Sequence, residues 1–254
     1  PPPPPPRAIP PLSARPLPLA QNLGNALKEL GELERAIGCY RQAIALRPSH
    51  HHAFNNLGNA LKEKGAHREA LLCYQTAVAI SPQFAAAHSN LSSLLKEVQP
   101  PDHLLSIAHS LEAIRIDPNF ADAYSNLGNA YRELGQSDAA IHYYHTALRL
   151  NPNSADVHAH LGSTFKDLGR LPDAVAYYRK ALALKPSQHE ALCELVHTNE
   201  FIADWSERDQ GLAMLEATLD AHLAAGLTPS VQPFHAFMYD TLPIEKIRRL
   251  SEAY

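Results

Sequence analysis

Residues 51–82 read HHAFNNLGNALKEKGAHREALLCYQTAVAISP. With His51 as position 1, Phe54 stands at 4, Leu57-Gly58 at 7 and 8, Leu61 at 11, Ala70 at 20, Tyr74 at 24, Ala77 at 27 and Pro82 at 32. The same residue types return at the same offsets along the chain. One unit has Tyr124, Leu127-Gly128, Tyr131, Ala140, Tyr144, Ala147 and Pro152. The next has His158, Leu161-Gly162, Phe165, Ala174, Tyr178, Ala181 and Pro186, and the first has Ala20, Leu23-Gly24, Leu27, Ala36, Tyr40, Ala43 and Pro48. The closing prolines Pro48, Pro82, Pro118, Pro152 and Pro186 are 34, 36, 34 and 34 residues apart. A period of this size specifies stacked units that each touch only their neighbours, not a globular enzyme core. Small Gly and Ala let two antiparallel helices approach closely, and the aromatic is expected to fill the gap between neighbouring units. The proline cannot continue a helix, so it ends the second helix of each unit.

A large residue, Leu-Gly, a large residue, Ala, an aromatic, Ala and then Pro is the tetratricopeptide-repeat (TPR) pattern. The fold expected is all-α: a right-handed superhelical TPR solenoid followed by a short helical junction. The third unit departs from the pattern. It carries Leu91-Ser92, Ser106 and Ser110 where the others have Leu-Gly, Ala and Tyr, and its turn, Gln99-Pro100-Pro101-Asp102, is two residues longer. Losing the aromatic at Ser110 predicts a looser joint there, at which the superhelix bends or breathes.

Four regions follow. Residues 1–16 begin with six prolines and read as disordered or polyproline II. Residues 17–186 hold five TPR units, and residues 187–202 begin a sixth whose first helix caps the array. Residues 203–254 read as a helical junction into an absent glycosyltransferase region. Within it, Leu212, Leu215, Leu219 and Leu223 are helically spaced over 206–225, before Gly226. The chain opens without Met, and the helix begun by Pro243 is still running at Tyr254. The sequence is therefore expected to be part of a longer one.

Composition narrows the partners. Of the 254 residues only 19% are charged and the net charge is −4, which speaks against nucleic acid and an anionic membrane surface. No uninterrupted apolar run reaches the roughly 18 residues a membrane span needs. Cys39, Cys73 and Cys193 are odd in number and scattered, which argues for a reducing compartment rather than a disulfide framework. His50-His51-His52 and the pair His142 and His145 lack a ligand set with zinc spacing, so no metal and no bound cofactor are expected.

The first helix of each TPR unit lines the concave face. Position 6 reads Asn22, Asn56, Asn90, Asn126 and His160; position 9 reads Asn25, Asn59, Ser93, Asn129 and Ser163. Asn is a poor helix former, at roughly 0.5 kcal/mol relative to Ala, so several in register need a reason. A carboxamide offers donors and an acceptor, and pairs with a peptide backbone without reading its sequence. Asn22, Asn56, Asn90, Asn126, Asn59 and Asn129 are therefore the candidate peptide-binding residues. Extended or disordered segments of other proteins are the expected partners, with TPR-mediated self-association a further one. Position 12 adds Lys28, Lys62, Lys96, Arg132 and Lys166, each followed by an acidic residue that reads as its turn-solvating pair.

The Asn-Leu-Gly-Asn runs and Phe120-Ala121-Asp122-Ala123-Tyr124-Ser125-Asn126 resemble the repeats of protein O-GlcNAc transferases. After the last repeat come Ala203-Asp204-Trp205 and then Leu227-Thr228-Pro229-Ser230-Val231-Gln232-Pro233-Phe234-His235-Ala236. This stretch is similar to the junction between repeats and catalytic region in that family, most of all in its plant and algal SECRET AGENT type. The resemblance covers roughly residues 20–254. It implies transfer of N-acetylglucosamine from UDP-GlcNAc to Ser or Thr hydroxyls of nuclear and cytoplasmic proteins, without a metal. It implies acceptor recruitment by the Asn ladder, with His160 and Glu194 standing where the family usually has Asn. It also places His235 at the active site, as a proton acceptor or as a residue ordering the loop; an imidazole titrates near working pH. The donor site is expected beyond Tyr254, so residues 1–254 alone are expected to bind protein and not to transfer sugar. A TPR adaptor with no enzyme attached and a related protein O-fucosyltransferase remain the alternatives.

Overall fold

The computed structural model describes residues 17–202, with 213–214, 216–217, 220–221 and 224 beyond them. The proline-rich segment, the Pro-Ser-Val-Gln-Pro-Phe-His run and His235 lie outside the described residues. Through residues 17–202 run eleven α-helices: α1 (Leu17–Glu29), α2 (Leu33–Leu46), α3 (His51–Glu63), α4 (His67–Ile80), α5 (Ala85–Glu97), α6 (His103–Ile116), α7 (Ala121–Glu133), α8 (Ser137–Leu150), α9 (Ala155–Asp167), α10 (Leu171–Leu184) and α11 (His189–Phe201). There is no strand among the described residues. The all-α TPR architecture is the one the 34-residue period demands. The chain divides into two compact units, Pro1–Leu134 with α1–α7 and Gly135–Tyr254 with α8–α11.

In the first unit each helix packs on the next, and the first helices of consecutive repeats also touch: α1 with α3, α3 with α5, and α5 with α7. These helices line its inner face. In the second unit α9 packs on α8 and α10, and α11 on α10 and α9. Burial of Ala191, Leu192, Leu195 and Val196 fixes α11 in place.

Two devices set the turns. Between helices of one repeat, Gly65 adopts φ +83, a left-handed conformation that a Cβ disfavours. It lets the Ala66 N–H reach back to the Leu61 carbonyl at 2.8 Å. The same closure recurs at Gly31 and Gly169. Between repeats, the residue before each proline leaves the helix for extended backbone; Arg47, before Pro48, has φ −146 and ψ 93. The third repeat has no glycine at its inner turn. There Asp102 caps α6, its carboxylate accepting the Leu105 N–H at 2.9 Å.

The core of each regular repeat is one tyrosine. Tyr40, Tyr74 and Tyr178 are fully buried, and each ring lies on the glycine of its own repeat's first helix. A Cβ at Gly24, Gly58 or Gly162 would stand 2.6 Å from that ring. The aromatic therefore fills space inside its repeat before it reaches the next one, which refines the inter-unit role expected of it. The cause is the absence of any side chain at position 8. Tyr144 does reach onward, its ring stacking on His160 of the following repeat at 5.8 Å.

In the third repeat three serines stand where the others have glycine, alanine and tyrosine. Ser92, Ser106 and Ser110 are completely buried. The Ser92 and Ser110 hydroxyls lie 2.6 Å apart, those of Ser92 and Ser106 2.9 Å, and Ser106 Oγ donates to the Ser92 carbonyl at 2.9 Å. With no tyrosine ring present, position 8 tolerates a Cβ, and three small hydroxyls satisfy one another. Nearby, His88 Nε2 donates to the Pro82 carbonyl at 3.1 Å, so its Nδ1 accepts from His109 Nδ1 at 3.0 Å.

The glycine contacts make opposite outcomes testable at two sites. Gly58→Ala forces a methyl into the Tyr74 ring and lowers stability by about 1–3 kcal/mol. Gly38→Ala, in α2 with open space around the new methyl, raises it by up to about 1 kcal/mol. Urea titrations followed by helical circular dichroism check both signs.

Candidate peptide-binding face

The position-9 residues carry a structural duty. A buried tyrosine hydroxyl needs a partner, and an unmet one costs about 1–3 kcal/mol. Tyr40 Oη donates to Asn25 Oδ1 at 2.8 Å, Tyr74 Oη to Asn59 Oδ1 at 2.7 Å, and Tyr178 Oη to Ser163 Oγ at 3.2 Å. Burial pushes the Tyr40 hydroxyl up to about 12 and raises that of Tyr74 as well, so both phenols stay protonated donors. Asn129 holds the same register position on α7. In the tyrosine-free third repeat Ser93 is released from this duty, and its Oγ accepts from Lys62 Nζ at 2.9 Å.

Position 6 behaves differently. Each asparagine donates backward to the preceding repeat: Asn56 Nδ2 to Asn25 Oδ1 at 3.0 Å, Asn90 Nδ2 to Asn55 Oδ1 at 2.9 Å, and Asn126 Nδ2 to Ser89 O and Oγ, both at 3.1 Å. The Oδ1 atoms of Asn56, Asn90 and Asn126 accept no hydrogen bond among the described residues. The expectation gave the ladder donors and acceptors alike. The structure commits one donor of each carboxamide to fixing its orientation and leaves a row of oriented acceptors on α3, α5 and α7. Asn55 and Ser89, which hold two of them, have no conspicuous sequence pattern. Asn22 begins the row on α1.

A pocket of about 250 Å³ opens on this face in the first unit, lined by Asn25, Lys28, Glu29, Tyr40, Asn56 and Asn59. In the second unit His160 takes position 6, and Glu194 accepts from Lys166 Nζ. Asparagine at position 6 is thus a property of the first unit among the described residues.

Position 12 forms ion pairs between repeats at Lys28, Lys62 and Lys166. Lys28 Nζ is 3.1 Å from Glu63, and Lys62 Nζ 2.7 Å from Glu97. Each pair joins one repeat's cation to the next repeat's carboxylate. Arg132 lies 3.0 Å from its own neighbour Glu133. Lys96 makes no hydrogen bond or ion pair among the described residues and is half-buried. Desolvation pulls its ammonium down to about 8; Glu97 and Glu133 oppose the shift, while Lys62 and Arg132 add to it.

Other chemistry is absent among the described residues. No group of three His, Cys, Asp or Glu side chains is placed to hold a metal. His50 Nε2 is 2.6 Å from Gln21 Oε1, and the rings of His51 and His52 pack against Phe84. His145 lies against Tyr177. Burial pushes the Cys73 thiol up to about 11, which makes it a poor nucleophile. No described helix is long and apolar enough to cross a membrane.

The lysine gives a pH test. Below pH 8 both folded and unfolded chains hold the Lys96 proton, and the folded state bears the full desolvation cost. Between 8 and 10.5 the unfolded chain keeps the proton while the folded chain releases it, so folding is favoured progressively more. Lys96→Met is therefore more stable than wild type at pH 7, by about 1 kcal/mol after allowance for partial exposure. That margin shrinks as pH rises through 8 to 10. Urea midpoints of the two proteins at each pH measure it as a difference, in which titration of Cys73 and Tyr40 cancels.

Comparisons with known proteins agree with this anatomy. The family profile described as TPR repeat matches residues 24–65, 58–97 and 106–135, and that described as Tetratricopeptide repeat matches 125–189. The break between 97 and 106 falls on the lengthened turn of the third repeat. No curated protein matches the sequence. Among solved structures, a thermophilic TPR protein of Thermus thermophilus is similar at TM-score 0.64 and 22% identity, over 72% of this chain and 98% of that one. PilF of Pseudomonas aeruginosa is similar at 0.66 and 19%, over 87% and 97%. YrrB, described as a TPR protein with an unusual peptide-binding site, is similar at 0.50 and 23%, over 68% and 88%. Periodicity, helix pairing and family profiles converge: the chain belongs to the tetratricopeptide-repeat proteins.

Proposed function

We propose that the inner face of α1, α3, α5 and α7 binds extended segments of other proteins, and that it does so as the acceptor-recruiting part of a protein O-GlcNAc transferase. The observation that carries the first half is the row of oriented, unbonded Oδ1 atoms on Asn56, Asn90 and Asn126. An extended peptide offers backbone N–H groups at regular spacing, and fixed acceptors pair with them at small entropic cost. Recognition of this kind is loose in sequence, which suits a protein that serves many acceptors. The peptide-binding site in YrrB's description is in keeping with it.

The second half rests on sequence: Ala203-Asp204-Trp205 and the Pro229–Ala236 stretch resemble the entry to that family's catalytic region. In this reading the enzyme takes UDP-GlcNAc as donor, modifies Ser and Thr of nuclear and cytoplasmic proteins, and uses His235 near the reacting hydroxyl. Residues 17–202 supply acceptor binding and no sugar chemistry.

Asn56→Ala, Asn90→Ala and Asn126→Ala combined weaken binding of a Ser/Thr-rich synthetic polypeptide about tenfold or more, with helical circular dichroism retained. Fluorescence anisotropy reads the affinity, and unchanged affinity sinks the ladder. The enzymatic half is tested on native protein captured with an antibody to residues 187–254. Transfer from UDP-GlcNAc to a protein acceptor supports it. Transfer from GDP-fucose alone, or none, replaces it with the fucosyltransferase or the adaptor reading.

A further inference from the structure

Positions 4 and 23 meet across the two helices of the third and fifth repeats. In the other repeats they read Ala20 and Cys39, Phe54 and Cys73, and Tyr124 and Tyr143; in the fifth, His158 lies 5.9 Å from Tyr177, ring to ring. The third repeat alone puts two imidazoles there. They are His88 on α5 and, past the two extra residues of the turn, His109 on α6. His88 is buried, and its hydrogen bonds fix its protonation. A carbonyl only accepts, so Nε2, 3.1 Å from the Pro82 carbonyl, carries the hydrogen of the neutral ring and Nδ1 keeps a lone pair. His109 Nδ1, 3.0 Å away, donates to it. One more proton fits, on His109 Nε2, which makes no hydrogen bond among the described residues. A second would go to His88 Nδ1 and set N–H against N–H at 3.0 Å.

We infer that the His88–His109 pair makes the third repeat an acid-sensitive joint of the α3–α5–α7 face. The pair holds α5, α6 and the preceding turn together while it carries no more than one extra proton, and lets them part when it must carry two. An opened chain protonates both rings below about pH 6.5, whereas the closed repeat takes at most one proton. Stability present above about pH 7 is therefore lost as pH falls through that range, by roughly tenfold in the opening equilibrium per pH unit. The surroundings do not relieve the conflict. Burial pushes the His109 imidazole below its ordinary range and His88 adds to the shift, while Glu112 of α6 opposes it. Arg115 of the same helix holds that Glu112 carboxylate through two hydrogen bonds, at 2.9 and 2.7 Å. The helices α3, α4 and α7, packed on the other sides, bring no charge that acts on either ring among the described residues. The effect on binding rests on the protein-binding reading above. His88 is followed by Ser89, which holds the Asn126 carboxamide, and by Asn90, which leans on Asn55. Two of the three oriented acceptors thus depend on where α5 sits.

Hydrogen exchange of the full chain, read by mass spectrometry and corrected for intrinsic rates, compares pH 7.5 with pH 5.5 in wild type and in His109→Gln. The glutamine carboxamide donates to His88 Nδ1 or, turned over, accepts from it, so a protonated His88 meets no conflict. Wild type is expected to open α5 and α6 about tenfold more at pH 5.5, and His109→Gln to change little. The remaining histidines are common to both proteins and cancel. By anisotropy, a Ser/Thr-rich synthetic polypeptide binds wild type more weakly at pH 5.5, and binds His109→Gln equally at both pH values. If His109→Gln lost helicity by circular dichroism, His88→Gln decides by the same comparison, since its amide replaces Nε2 as donor to the Pro82 carbonyl and does not titrate. Exchange that responds to pH equally in wild type and variant overturns the inference, and so does opening that leaves binding untouched. Absence of binding at pH 7.5 sinks the protein-binding reading instead, and exchange alone then judges the joint.

Discussion

The inner face of each regular repeat depends on a tyrosine ring lying against a glycine. At 2.6 Å from a would-be Cβ, the rings of Tyr40, Tyr74 and Tyr178 leave no alternative at Gly24, Gly58 and Gly162. That closeness sets the separation of the two helices of each repeat. It also carries a phenol hydroxyl through the repeat to the far side of the first helix, where Asn25, Asn59 or Ser163 receives it. A hydrophobic contact thus ends in a polar bond on the surface that meets other proteins. Packing and recognition share the same side chains.

The third repeat shows what happens when the constraint is lifted. Ser110 in place of the tyrosine permits Ser92 in place of the glycine, and the core becomes a cluster of mutually bonded hydroxyls. Ser93, relieved of a tyrosine, takes Lys62 instead. On the same helix Lys96 is half-buried and makes no ion pair or hydrogen bond among the described residues. The irregular repeat packs through hydroxyls where the others use a ring.

Much of this was legible in the chain. The fold followed from the spacing of Leu-Gly, Tyr and Pro, because each of those residues acts locally: the proline ends a helix, and the glycine removes a side chain. Gly31, Gly65 and Gly169 are signals equally present in the chain; they close the inner turns through positive φ. The ladder of asparagines was visible as a register. The division of labour within it was not, since position 9 serves a tyrosine hydroxyl and position 6 leans on the preceding repeat. The partners are 15 residues away in the first case and 31 to 37 in the second, so no local rule exposes them. The acidic residue after each position-12 cation looked like its partner because it is adjacent, yet the ion pairs of Lys28 and Lys62 cross to the next repeat.

By itself, then, the sequence determined the repeat: its length, its two helices, its small and aromatic contact positions and the face that carries asparagine and lysine. These are consequences of propensity, side-chain volume and period, all of which act over a few turns of helix. Only the tertiary structure decided which polar groups on that face are used up and which are left over. Hydrogen bonds and ion pairs are competitive and geometric, so Asn25 Oδ1 takes two donors, Asn90 keeps an acceptor and Lys96 goes without an ion pair among the described residues. That outcome depends on how one repeat stacks on the next, which no residue encodes alone.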